Sequence, residues 1–154
     1  MADVGVSYEL AGSSTVTFND GSADQFYITE ITGLGGPPVR APIDDMPYGD
    51  GGLVHTFWKG PRHLIVDGIF LITSTWKMDD IVVIRNDFEE DLRVCLESII
   101  TADGTLTWQP QGQLERSLVV RHDVQLEYVH DQDYRVVAFH FGLVAADPDW
   151  MEAI

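Results

Sequence analysis

Over most of the chain, apolar and polar residues alternate with the two-residue period of β-strands. Val4, Val6, Tyr8 and Leu10 form one such run, and Val16 and Phe18 begin a second after "AGSS". The turn-forming stretch "NDGSAD" precedes a third, "QFYITEI". In "HLIVDGIFLIT", Leu64, Val66, Phe70 and Ile72 share one face while Ile65, Ile69 and Leu71 share the other. A strand apolar on both faces belongs in the middle of a sheet. The turn "KGPR" joins it to a preceding strand, "LVHTFW". Near the C-terminus, Leu118, Val120, Val124, Leu126 and Tyr128 lie on one face of "RSLVVRHDVQLEYV". Val137, Phe139, Phe141 and Leu143 do the same in "YRVVAFHFGLVAAD". With "HDQD" between them, the two segments read as a long antiparallel hairpin with one wet side.

The period changes once. Phe88, Leu92, Cys95, Leu96, Ile99 and Ile100 fall at helical spacing and predict a single helix at about 87–101, after a short strand "IVVIR". Asn86 and Glu89 form a capping-box pattern at its start, and Asp87, Glu89 and Glu90 suit the positive end of its dipole. Gly104 suits the left-handed position after its end. Between two strands lies "GLGGPPVRAPIDDMPYGDGG", residues 33–52, where prolines remove backbone donors and glycines add chain entropy. It reads as a long irregular loop, and loops beyond ~12–15 residues in a compact domain usually have a function or are disordered. The expected architecture is mainly β: a β-sandwich, or an open barrel, flanked by one helix. It forms one domain over residues 1–154.

Composition narrows the function. Hydrophobic residues make up 45% of the sequence, which marks a folding chain. No apolar run is long enough for a membrane span, and the N-terminus lacks the basic and apolar pattern of a signal peptide. The expectation is a soluble chain made in a cytosol. The formal charge is −16, with 25 acidic against 9 basic residues, and such a surface repels phosphate backbones. A lone cysteine, Cys95, excludes an internal disulfide and reads as a buried structural thiol.

No catalytic motif is legible. His55, His63, His122, His130 and His140 lack helical zinc-ligand spacing, although His122 and His140 lie on strands that could pair. The acidic stretch holding Asp44, Asp45 and Asp50 lacks the EF-hand pattern, and turn chemistry accounts for it. The glycines at 33, 35 and 36 lack the Lys-Ser/Thr tail of a phosphate loop. Of Trp58, Trp76, Trp108 and Trp150, Trp108 alternates with Leu106 and reads as core, while Trp76 lies in a loop. No enzyme, cofactor or metal is expected.

The order of motifs carries a resemblance. Gly33-Leu34 leads to Pro38-Val39-Arg40, the Asp50-Gly51-Gly52 end of the loop, and Arg62. Gly104 to Trp108 follow the helix, and Ala146-Asp147-Pro148 with Trp150 close the chain. This resembles the N-terminal domain of the distal tail (Dit) proteins of long-tailed bacteriophages, including minor tail proteins of actinobacterial phages. The resemblance implies a non-enzymatic virion protein at the tail tip, without membrane contact. It would form a hexameric ring that joins the tail tube to the tip or baseplate and lets DNA pass unbound. The implied partners are further copies of the chain, the tail tube protein, the tip or hub protein and the tape measure protein. Leu34, Pro37, Pro38, Val39, Arg40, Tyr48, Asp50, Arg62 and Trp150 would serve inter-subunit contact. The 33–52 loop would act as an arm covering a neighbour's sheet edge and ordering on assembly. Acidic groups would line the lumen, with Arg40 and Arg62 facing partner carboxylates. The C-terminal carbohydrate-binding domain of longer relatives is not expected here. A tail tube or tail completion subunit is the alternative within this class, and a β-sandwich carbohydrate-binding module the alternative from another.

Overall fold

A computed structural model describes residues 7–35, 39–40, 43–45, 52–54, 58–110, 113–130 and 135–152, with the backbone alone over 39–58. Twelve strands and one helix follow in the order β1 (Tyr8–Ala11), β2 (Thr15–Phe18), β3 (Asp24–Thr32), β4 (Val39–Arg40), β5 (Ile43–Asp45), β6 (Gly52–Val54), β7 (Trp58–Lys59), β8 (Arg62–Ile72), α1 (Met78–Ser98), β9 (Gly104–Trp108), β10 (Arg116–His130), β11 (Val136–Ala145) and β12 (Met151–Glu152). Val4, Val6 and the "DQD" turn lie outside the described residues.

The sandwich expectation is corrected. Strands run β11-β8-β3-β2-β1-β9-β10, and β10 pairs back onto β11, so the sheet closes into a seven-stranded barrel with β12 appended to β10. It is a mixed barrel: Phe18 and Phe26 make a parallel bridge between β2 and β3, and every other pair is antiparallel. The physical reason for closure is the length of β10. Its 15 residues pair with β9 over Arg116–Val120 and with β11 from Arg121 onward, through register shifts around Val124 that bend the strand. One long bent strand thus serves both sides and leaves no gap between two sheets.

The alternation seen in sequence sorts inside from outside. Leu64, Val66, Phe70 and Ile72 of β8 are buried, as are Val137, Phe139, Phe141 and Leu143 of β11. In β10, Leu118 and Val120 are buried, but Val124 at the register shift is 38% exposed. Phe70 is the hub of an aromatic cluster, with ring centroids 4.3 Å from Phe26, 5.2 Å from Phe139 and 5.7 Å from Phe88 of the helix.

The helix begins nine residues earlier than the expected Asp87, at Met78, and absorbs the "IVVIR" segment read as a strand. Its buried stripe runs through Ile81, Leu92, Cys95, Leu96 and Ile99, so packing overrides the strand preference of the β-branched run. Asn86 and Glu89 therefore sit inside the helix and form no cap; Asp79 and Asp80 occupy the first turn instead. The Glu89 carbonyl accepts a hydrogen bond from the Tyr128 hydroxyl at 2.9 Å, tying the helix to β10. Burial, and then the Glu89 charge, push that hydroxyl's pKa well up. The helix also ends earlier, at Ser98, and Gly104 is not left-handed but opens β9. Glycine is required there because a Cβ would meet Ile99 Cγ2 at 2.5 Å and the Ala11 carbonyl at 2.9 Å.

The turn between β8 and α1 is pinned by Asp24. Its carboxylate accepts hydrogen bonds from the Thr73 amide (2.9 Å), the Ser74 amide (3.0 Å) and the Ser74 hydroxyl (2.5 Å). Partial burial alone would raise this carboxyl, but the bonds from Ser74 and Thr73 outweigh it and hold the pKa below its ordinary value. A depressed folded-state pKa stabilises the folded form above the unfolded value of 3.8 and loses that contribution as pH falls through the folded value. The Ser74 amide resonance is therefore expected to titrate below pH 3.8 and to stop doing so in Asp24→Asn. Titration at or above that pH would show the anchor to be absent.

Candidate assembly interface

Where a long irregular loop was expected over 33–52, the described residues hold short paired strands. Val39 pairs with Lys59 and Arg40 with Trp58; Ile43, Asp44 and Asp45 then pair with Val54, Leu53 and Gly52. These two short antiparallel pairs, together the ribbon, lie between β3 and β8 in the chain, and "KGPR" leads from β7 into β8 without forming a hairpin. In the sequence, Pro38, Pro42 and Pro47 flank the short paired stretches. None of the four ribbon strands pairs with a barrel strand among the described residues. A two-stranded ribbon is at best marginally stable alone in water.

Its root is rigid. Gly33 turns the chain out of β3 with φ +94°, and a Cβ there would collide with the His63 carbonyl. Arg62 is 2% exposed, at the inward-facing parity of Leu64 and Val66. Its Nη1 donates to the carbonyls of Gly33 and Leu34, each at 2.9 Å, and its Nε donates to the carbonyl of Pro148 at 2.9 Å. Burial lowers its pKa and the nearby Asp149 charge opposes that shift; a guanidinium stays protonated regardless. The Trp150 ring lies 4.6 Å from the Arg62 guanidinium and 5.1 Å from that of Arg116, with Trp108 edge-on at 5.8 Å. Lys59 pairs with Asp149 at 2.6 Å, and a cavity of about 340 Å³ opens beside them at Gly35.

Of the expected contact residues, Leu34, Arg62 and Trp150 therefore converge at the foot of the ribbon, with Leu34 and Trp150 packed on the core. Val39 and Arg40 are placed by their backbone in β4, while Pro37, Pro38, Tyr48 and Asp50 lie outside the described residues. Lys59, Arg116, Pro148 and Asp149 were missed as members of this cluster. The legible signal was parity, which puts an arginine on the core side of β8.

Elsewhere, three of the described histidines contact carboxylates of the chain itself. His122 and His140 are not brought together: His122 lies opposite Leu143, and His140 opposite Glu127. His140 contacts Asp67 at 2.5 Å, His130 contacts Glu89 at 2.7 Å, and His63 contacts Asp123 at 3.3 Å. No group of three or more His, Cys, Asp or Glu that could hold a metal exists among the described residues. The side chains of Asp44, Asp45, Asp50 and His55 are outside them. Cys95 is fully buried, as expected, and burial raises its pKa. Trp108 is core, as expected, and Trp76 is 77% exposed with Arg135 over its ring at 3.7 Å. Among the described residues, no helix is long and apolar enough to cross a membrane.

No protein-family model and no curated relative matches the chain. Solved structures do. The SPP1 Dit protein, described as a paradigm of the hub adsorption apparatus in phages infecting Gram-positive bacteria, aligns with a TM-score of 0.59 at 14% identity, over 95% of this chain and 52% of its own. A chain of the phage p2 baseplate, in its activated conformation with strontium, aligns with a TM-score of 0.55 at 10% identity, over 94% of this chain and 45% of its own. The chain thus spans about half the length of each. Identity this low shows a shared fold, and at that level the likeness to distal tail proteins read from the order of motifs is borne out: over its described length, the chain has the fold of the matching half of the SPP1 Dit protein.

Proposed function

We propose that the chain is a structural protein of a long-tailed bacteriophage, placed at the distal end of the tail, where it assembles into a hexameric ring. The ring joins the tail tube to the tip or baseplate and leaves a central opening through which DNA passes. The fold match to two phage hub and baseplate proteins, over nearly all of this chain, carries the reading. The ribbon supports it: two strand pairs with no barrel partner among the described residues are suited to lie on a neighbouring copy, where their free backbone edges become covered. The acid surplus fits the same role, since carboxylates along a conduit repel phosphate. Chemistry is not part of this role, and the tail tube, tip and tape measure proteins are its natural partners.

Mass measurement across a concentration series, with electron microscopy of the largest species, tests the reading. The expected result is a concentration-dependent rise to six times the 17.2 kDa chain mass and rings with an acidic central opening. Stacked filaments would favour a tube subunit instead. A mass that stays at 17.2 kDa, or a particle without an opening, would sink the ring.

A further inference from the structure

The C-terminal residues after β11 do not simply trail off the barrel. From Ala146 the chain leaves the ladder, turns at Asp147, whose Oδ1 accepts from the Asp149 amide at 3.1 Å, and returns as β12 opposite Arg116 and Ser117. Three of its fastenings go to residues that also hold the ribbon: Pro148 to Arg62, Trp150 to Arg62, and Asp149 to Lys59. Lys59 is the ribbon's last paired residue, and Arg62 binds both carbonyls at the ribbon's exit.

We propose that this strap, residues 146–152, is the lock on the arm: while it is seated the arm's root is fixed, and lifting it releases the root. The mechanism lies in the guanidinium. Its nitrogens form one rigid plane, so the Nε bond to Pro148 and the Nη1 bonds to Gly33 and Leu34 are aligned together or lost together. A flexible ammonium would let one contact go and keep the others. Trp150 lies against the guanidinium in a cation–π contact, and the same ring meets Arg116 of the barrel wall. Arg62 thus acts as a positioning residue between two segments more than 80 residues apart in sequence, Pro148 lying 86 residues from it. The coupling is reciprocal, so a partner that seats on the strap fixes the arm, and a docked arm holds the strap down. The proposal does not depend on the ring: it concerns the single chain.

Hydrogen exchange by mass spectrometry tests it in two variants. Trp150→Ala removes a ring that makes no hydrogen bond to the arm root. Arg62→Lys keeps the charge and loses the fork. In each, exchange at 33–35 and 58–60 is expected to speed up about tenfold or more together with exchange at 146–152. The amides of 64–71, in the middle of the barrel, should keep their wild-type rates. A rise confined to the strap, a rise shared equally by 64–71, or no change in either segment overturns the proposal.

Discussion

Phe70→Ala is expected to destabilise the protein by about 3–5 kcal/mol, the usual cost of truncating a fully buried phenylalanine. The side chain is 0% exposed and meets Phe26, Phe88, Phe139 and Tyr128 with centroids between 4.3 and 6.0 Å. Those rings come from β3, α1, β11 and β10, so a cavity here cannot close without moving the helix or opposite sides of a closed barrel. Each aromatic pair adds roughly 0.5–1.5 kcal/mol beyond area burial, which places the expected loss toward the upper end. For a domain of this size the melting temperature should drop by about 10 °C or more. Val83→Ala, on the exposed face of the helix at 59% exposure, is the control, and should change stability by less than about 0.5 kcal/mol. A Phe70→Ala loss below about 1 kcal/mol would show that the cluster does not hold the helix on the barrel.

The same cluster shows how much of the fold was legible. Phe70, Phe139 and Phe88 were each assigned to a buried face from period alone, because a one-residue slip would turn a whole strand inside out. The period could not say how the strands join around the ring. Closure rests on β10 pairing with β9 along one part and β11 along the rest, and a bulge near Val124 is silent in a sequence that keeps its alternation. The helix start was misread for a related reason. Ile81 continues the stripe of Leu92 and Leu96, but "IVVIR" has the composition of a strand, and local preference is a weaker signal than packing. At the arm, the glycines and prolines correctly marked a segment outside the barrel, and hid the paired stretches between them. The Arg62 cluster was half visible. Parity with Leu64 and Val66 could have put the arginine inside, but the expectation had Arg62 facing a partner's carboxylates. Instead it is buried, and its acceptors are backbone carbonyls, which every residue carries and no sequence distinguishes.

Replacing residues 36–57 with a short Gly-Ser linker is expected to leave the barrel folded and to abolish the proposed ring. The barrel should survive because, among the described residues, the ribbon pairs with none of its strands and every core residue lies outside the deleted segment. The linker need not be long, because Gly35 and Lys59, next to the two cut ends, line the same cavity at the foot of the arm. About four to six residues span such a gap. Assembly should fail because the arm supplies the paired strands that a neighbour's surface would cover, and a ring needs that contact repeated at every interface. The readouts are melting temperature for the first claim and mass across a concentration series for the second. Gly33, Leu34, Lys59, Arg62 and Trp150 all remain in the shortened chain, so the strap and its arginine stay intact. A loss of assembly at unchanged melting temperature therefore belongs to the arm itself. A shortened chain that still closes into rings would remove the arm from the interface and return the ribbon to a role within the monomer.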